Sequence, residues 1–189
     1  IYFVCMIVVL CLRMCDLKII GAIFGGALVV GLGIIKVIPY VTSRFATYLH
    51  AWEYATSGGY QQTQTMMSIA SGGLFGLGPQ KGKLKLVSAA DTDLVFGMLV
   101  EEWGMIFAFC AIVCFIIFAL YSLKSISQTN SAYFAIAAVS AAGLWLFQIS
   151  LNIFGSTDLL PLTGVTLPFI SNGGSSMISS WLLLSFIKA

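Results

Sequence analysis

The stretch Leu17-Lys18-Ile19-Ile20-Gly21-Ala22-Ile23-Phe24-Gly25-Gly26-Ala27-Leu28-Val29-Val30-Gly31-Leu32-Gly33-Ile34-Ile35-Lys36-Val37-Ile38 decides the fold. Apart from Lys18 and Lys36 near its ends it is apolar, and about 20 such residues cross a bilayer as a helix. The two lysines sit where their ammonium groups can snorkel to the headgroups. Gly21, Gly25 and Gly26 lie near one face, a spacing that lets neighbouring helices approach closely, and Pro39 ends the run. The rest of the chain is made in the same way. It is 59% hydrophobic and 8% charged, with a mean hydropathy of +1.00. Soluble domains are about a quarter charged, so this chain is not built for water on all sides. A net charge of +2 on so few ionisable groups carries no nucleic-acid signal.

Working outward, residues 1–12 form an apolar run too short to span, read as the end of a helix that begins before Ile1. The run from Met177 to Ile187 also looks clipped, and the sequence is read as a fragment. Segment 39–93 is polar, aromatic and glycine-rich, and far longer than an ordinary connection; segments of that length are functional or disordered. Trp52, Tyr54, Tyr60 and Phe75 argue for an ordered segment anchored at the interface, with a short surface helix over 60–70. The glycines of Ser71-Gly72-Gly73-Leu74-Phe75-Gly76-Leu77-Gly78-Pro79 mark a turning or re-entrant piece. Residues 94–123 then read as one long helix, entering the membrane near Gly104. A polar loop over 124–130, a span over 131–154, a second glycine- and proline-containing loop over 155–176 and a final helix over 177–189 follow. The expected fold class is an all-α polytopic membrane protein with about four crossings, two of them incomplete. Orientation is open on charge: Arg13, Lys18, Lys124 and Lys188 on one side balance Arg44, Lys81, Lys83 and Lys85 on the other.

The five cysteines, Cys5, Cys11, Cys15, Cys110 and Cys114, lie in or beside apolar runs and read as polarisable packing residues. A metal site would want further ligands close by, and His50 is the only histidine, so no metal-ligating set is expected. The acids are more informative. Four of the seven cluster at Asp91, Asp93, Glu101 and Glu102, and carboxylates at a membrane edge are functional candidates by default. On a helix turning about 100° per residue, Glu101 lies about 80° from Asp93 while Glu102 points to the opposite side. Asp93 and Glu101 are therefore expected to look into one cleft. Asp93 is equally a candidate N-cap for the helix that follows. Lys81, Lys83 and Lys85 alternate, so an extended strand would point all three one way, either as a headgroup-touching edge or as a dock for a phosphate-bearing lipid.

Four motifs in order resemble the SEDS family of bacterial shape, elongation, division and sporulation proteins, the FtsW, RodA and SpoVE type. They are Gly59-Tyr60-Gln61-Gln62-Thr63-Gln64; the glycine-rich 71–78 run; Asp91-Thr92-Asp93-Leu94-Val95-Phe96 with Glu101-Glu102-Trp103-Gly104; and the segment from Leu160 through Leu162-Thr163-Gly164 and Leu167-Pro168-Phe169-Ile170-Ser171-Asn172-Gly173-Gly174 to Ser176. The resemblance covers nearly everything from Tyr40 onward. It implies the last half of a ten-helix protein of the bacterial cytoplasmic membrane, with the 39–93 segment outside. It further implies an inverting glycosyltransferase that polymerises lipid II into peptidoglycan strands in division, elongation or sporulation, with a class B penicillin-binding protein as transpeptidase partner. The family's essential aspartate maps to Asp93.

On that reading Asp93 is the base that takes the acceptor hydroxyl proton. The leaving undecaprenyl pyrophosphate needs no acid, whereas glycosidases need two carboxylates because they expel a sugar alkoxide. Arg44, Lys81, Lys83 or Lys85 would offset pyrophosphate charge, with room for a divalent cation. Gln61, Asp91, Glu101, Ser171, Asn172 and Ser175 complete the substrate-binding candidates, the 171–176 turn as a helix start that can face an anion or be capped by its own Ser171 or Asn172. Two departures stand out: Asp91 occupies the usual histidine position of His-Thr-Asp-Phe, and Asn172 replaces the usual tyrosine of Ser-Tyr-Gly-Gly. The competing readings are a lipid II flippase, which would want ionisable groups near the midplane of spans that have none, and a non-catalytic scaffold for the transpeptidase. Without the preceding helices, the chain alone is expected to be inactive.

Overall fold

A computed structural model describes residues 17–126 and 132–188. The helix end expected over 1–12, Cys5, Cys11, Cys15 and most of the 124–130 loop lie outside the described residues. Among the described residues every regular element is helical. In chain order they are α1 (Leu17–Val37), α2 (Pro39–Thr47), α3 (Tyr60–Gly72), a 3₁₀ turn (Leu84–Leu86), α4 (Val95–Ile126), α5 (Ala132–Ser156) and α6 (Gly174–Lys188).

Val95–Ser122 and Phe134–Ser156 are long and apolar enough to cross a membrane, with mean hydropathies of 2.7 and 1.8, and Gly21–Ile34 is a shorter apolar helix. Their large side chains point outward to an unusual degree: Phe24, Leu28, Val29, Phe109, Ile117 and Leu120 are all more than half exposed. A helix that is apolar all round and unburied within its own chain is solvated by lipid or by further helices, not by water. This is a membrane protein.

The 39–93 segment is not a simple loop. Ile38 is extended (φ −99°, ψ 108°), as the residue before a proline must be, and Pro39 at the first turn starts α2 at a new angle to α1. Tyr60–Gly72 is helical and packs on α4, with Thr63 and Thr65 fully buried. Buried Gln62 reaches from α3 to the second loop, donating from Nε2 to Asp158 Oδ1 (2.7 Å) and the Gly155 carbonyl (3.2 Å). The Tyr48 hydroxyl donates to the Leu159 carbonyl (2.9 Å), so the two long non-spanning segments are laced together.

The long helix expected over 94–123 is interrupted. Gly104 has φ 88° and ψ 167°, a backbone region essentially confined to glycine. A break of this kind strands carbonyls before it and amides after it, and the glycine-rich run supplies their partners. Leu77 N donates to the Glu101 carbonyl (2.9 Å) and Gly78 N to that of Glu102 (3.0 Å). Met105 N and Ile106 N donate in turn to the carbonyls of Gly73 (3.0 Å) and Leu74 (3.3 Å). The two backbones lie flush, and a Cβ on Gly76 or Gly104 would run into the opposite chain. This clasp is the physical meaning of the 71–78 and 101–104 motifs occurring together.

The core below the clasp is made by α4, α5 and α6. Ala138, Ala141 and Leu144 of α5 pack with Val95, Trp145, Ile149 and Leu167. Rings run across three elements and a loop: Phe118 on Trp145 (5.1 Å), Trp145 on Phe169 (5.2 Å) and Phe169 on Trp181 (5.7 Å). Offset and edge contacts of this kind hold the 161–170 loop down on the helices.

Candidate active site

Asp91, Thr92 and Asp93 form a turn just before α4. Its backbone makes the structural bonds: Asp93 N donates to the Ala89 carbonyl (3.0 Å), and Asn172 N donates to the Asp91 carbonyl (2.9 Å). Ser171 Oγ donates to the Thr92 carbonyl (2.6 Å), and Asn152 Nδ2 donates to that of Asp93 (2.9 Å). Three successive carbonyls are thus tied to the second loop and to α5. Among the described residues no N–H or hydroxyl donates to the Asp93 carboxylate. The N-cap alternative therefore does not hold for Asp93: α4 begins at Val95, and Met98 N bonds to the Leu94 carbonyl.

The half-buried Asp93 carboxylate lies against Gly164, whose φ is 67°. A Cβ on Gly164 would sit 3.1 Å from Asp93 Oδ2, so the glycine both makes the turn and leaves the carboxylate uncovered. Gly164 also lines a groove of about 630 Å³ between α5 and α6. Thr166, Ser175, Ser176, Ser179 and Ser180 line that groove, Thr166 Oγ1 donating to Ser176 Oγ (3.0 Å) and the Ser179 and Ser180 hydroxyls to the Ser175 and Ser176 carbonyls (2.8 and 2.9 Å), while Leu144, Leu182 and Leu183 make it apolar. On the Asp91 side of the same turn is an open cleft of about 410 Å³, lined by Asp91, Glu102, Asn172, Trp103 and Ile170. The aspartate turn is thus flanked by two concavities, one lined by Asp91 and the other by Gly164, and Asp93 itself lines neither.

The expected pairing of Asp93 with Glu101 is overturned. Glu101 is 2% exposed, and its two oxygens accept the backbone N–H groups of Lys83 (2.9 Å) and Leu84 (3.0 Å). It anchors the 3₁₀ turn and does not face a cleft. Glu102, read from helical phase as pointing away, lines the cleft with Asp91. Counting from Asp93 failed because Asp93 precedes the helix. Glu101→Ala leaves the buried Leu84 amide and the part-buried Lys83 amide without their partner, and charge-assisted bonds contribute about 1.5–3 kcal/mol each. The expected result is a loss of about 3 kcal/mol, read as a lowered Tm in detergent.

The other candidates separate similarly. Ser171 is buried and spent on structure, accepting from Leu167 N (2.7 Å) while donating to Thr92, so it does not offer its hydroxyl to a substrate. Gln61 Nε2 donates to the Ser88 carbonyl (3.1 Å). Asn172 and Ser175 present exposed side chains to the cleft and groove respectively. The lysines do not form an extended row: Lys83 is αR and residues 84–86 make the 3₁₀ turn. Lys81, Lys83 and Lys85 are exposed and line neither concavity, and Lys85 Nζ donates to the Gln80 carbonyl (2.7 Å). Half-buried Arg44 lies on α2. Among the described residues no three Asp, Glu, His or Cys side chains come close enough to hold a metal ion. Asp91 and Glu102 alone are too few donors for a protein-held cation site. Sequence reasoning missed Asn152, although an amide near the end of an apolar run is a signal in itself, and met Gln62 only as part of a motif, without its structural role.

An apolar helix set carrying a carboxylate turn between two loops defines an all-helical membrane protein with acidic side chains gathered at one end of its helices. Residues 1–189 match the family described as cell cycle protein, the FtsW, RodA and SpoVE group, and the chain belongs to it. It is 38% identical over 146 residues to the probable peptidoglycan glycosyltransferase FtsW of Buchnera aphidicola, covering 74% of this chain and 38% of that protein. It is 33% identical over 147 residues to stage V sporulation protein E of Bacillus subtilis (77% and 40% covered), and 30% identical over 167 residues to the peptidoglycan glycosyltransferase RodA of Treponema pallidum (85% and 38%). The chain thus spans about two fifths of the length of these relatives. A solved chain from a peptidoglycan synthase complex, described as coordinating polymerization and crosslinking, shares the fold with a TM-score of 0.72 at 22% identity, covering 95% of this chain and 50% of that one.

Proposed function

We propose that the whole protein is a peptidoglycan glycosyltransferase that polymerises lipid II at the outer face of the bacterial cytoplasmic membrane, and that Asp93 is its base. The observation that carries this reading is the half-buried Asp93 carboxylate, which lies against Gly164 and accepts no hydrogen bond among the described residues, in a turn flanked by one concavity lined by Asp91 and another lined by Gly164. In the reaction, the acceptor's sugar hydroxyl oxygen attacks the donor's anomeric carbon. The C–O bond to the pyrophosphate breaks with inversion, the polyprenyl pyrophosphate leaves with the electron pair, and Asp93 receives the hydroxyl proton. Because the leaving group is already a stable anion, one positioned base suffices. A groove with hydroxyls along an apolar wall suits a lipid-linked sugar, whose two parts need both surfaces. Lys81, Lys83 and Lys85 and the adjacent Leu86 are exposed, a combination that suits anionic headgroups. The relatives' names support the activity. The structural relative belongs to a complex that couples polymerization to crosslinking, which supports a crosslinking penicillin-binding partner here.

The test is glycan-strand formation from purified lipid II by the full-length protein, comparing wild type with Asp93→Ala and Asp91→Ala. Loss in Asp93→Ala alone supports the assignment; undiminished strands from that variant reject it. Movement of labelled lipid II across vesicles without polymerisation would instead identify a flippase, and neither activity would leave a scaffold.

A further inference from the structure

A base must be held in place, and one side chain touches both sides of the contact between Asp93 and the Gly164 loop. Asn152, near the end of α5, is 2% exposed. Its Nδ2 donates to the Asp93 carbonyl (2.9 Å) and to the Val165 carbonyl (2.6 Å). The first is the backbone of the proposed base; the second belongs to the residue after Gly164, the surface its carboxylate meets. A single planar NH₂ group therefore sets the spacing between the carboxylate turn and the opposing loop. Its other atom, Oδ1, is buried with no donor. Buried polar atoms are rarely left so, and the side chain is placed for its two N–H groups at the expense of its oxygen.

We propose that Asn152 is a positioning residue for Asp93, a role that rests on Asp93 being the base. Other residues that hold the turn do only part of this. Ser171 ties Thr92 to the Leu167 amide, and Asn172 ties Asp91 through its backbone, but neither bonds Asp93 itself or the 164–165 backbone. No shorter or apolar side chain at 152 supplies two donors from one point. Aspartate has the shape but no more than one donor, and only when protonated. Without the fork, the Asp93 and Val165 carbonyls face each other inside the protein with nothing between them, and the two segments must part.

The experiment is a double-mutant cycle in the full-length protein, read as the steady-state rate of glycan formation from lipid II. A misplacement of about 1 Å costs on the order of 10²-fold in rate, so Asn152→Leu and Asn152→Asp are each expected to lower kcat by about that factor with KM little changed. In the Asp93→Asn background the same substitutions are expected to lower the residual rate no further, because the group they misplace is already gone. A merely structural asparagine would lower the amount of active protein equally in both backgrounds. Equal loss in both, or wild-type kcat in Asn152→Asp, overturns the proposal while leaving the base assignment intact. Wild-type polymerisation by Asp93→Asn alone overturns the base assignment and the positioning role with it.

Discussion

Asp93→Asn in the full-length protein is expected to lower glycan polymerisation by about 10²–10⁴-fold, the usual contribution of a positioned general base. The amide is nearly isosteric with the carboxylate. The structural bonds of the turn pass through backbone atoms, from Asp93 N to Ala89 and from Asn152 to the Asp93 carbonyl, and asparagine keeps both. The variant should therefore be produced, elute and melt like the wild type while failing to form strands. Asp91→Ala is expected to lose far less, since the Asp91 side chain is exposed and its bond to Asn172 is again made by the backbone carbonyl. The measurement is strand formation from lipid II at matched protein concentration. Polymerisation by Asp93→Asn near the wild-type rate would remove Asp93 as the base, and a larger loss in Asp91→Ala would move the role to its neighbour. The comparison is pointed because Asp91 lines the cleft with Glu102, whereas Asp93 faces the loop.

Gly104→Ala should produce the largest loss of stability. At φ 88° and ψ 167° an alanine is strained by about 1–3 kcal/mol before any contact is counted. Its Cβ would also strike the Leu74 carbonyl and the backbone of Phe75 and Gly76. Relieving that clash means opening the clasp and exposing or orphaning four backbone hydrogen bonds, each worth about 1 kcal/mol net. The total expected is about 4 kcal/mol or more, seen as a sharply lowered Tm or as failure to accumulate in the membrane. Gly76→Ala approaches the same contact from the other chain, against the Glu102 carbonyl, and should behave alike. A Gly104→Ala protein with unchanged Tm would mean that α4 closes into a continuous helix and that the 71–78 run has other partners.

The helices were largely legible in the sequence because lipid imposes a simple rule. An apolar run of spanning length has to satisfy its own backbone as a helix, so Leu17–Val37 and Ala132–Ser156 could be recognised one residue at a time. Pro39 and the glycine clusters likewise marked breaks through local steric effects. The Asp91–Asp93 region stood out as a candidate for a similar reason: carboxylates are costly at a membrane edge and four gather in that part of the sequence.

Which carboxylate does what was decided by the tertiary structure alone. Helical phase relates residues within one helix, but Asp93 lies outside α4, and the break at Gly104 follows Glu101 and Glu102 at once. What covers Glu101 is a pair of amides from Lys83 and Leu84, 18 and 17 residues upstream, and what leaves Asp93 open is Gly164, from a loop far downstream. Periodicity along a chain records which residues share a face; it holds no record of which distant backbone comes to lie upon that face. Glu101 was drawn into structure, whereas the half-buried Asp93 carboxylate lies against Gly164 and accepts no hydrogen bond among the described residues.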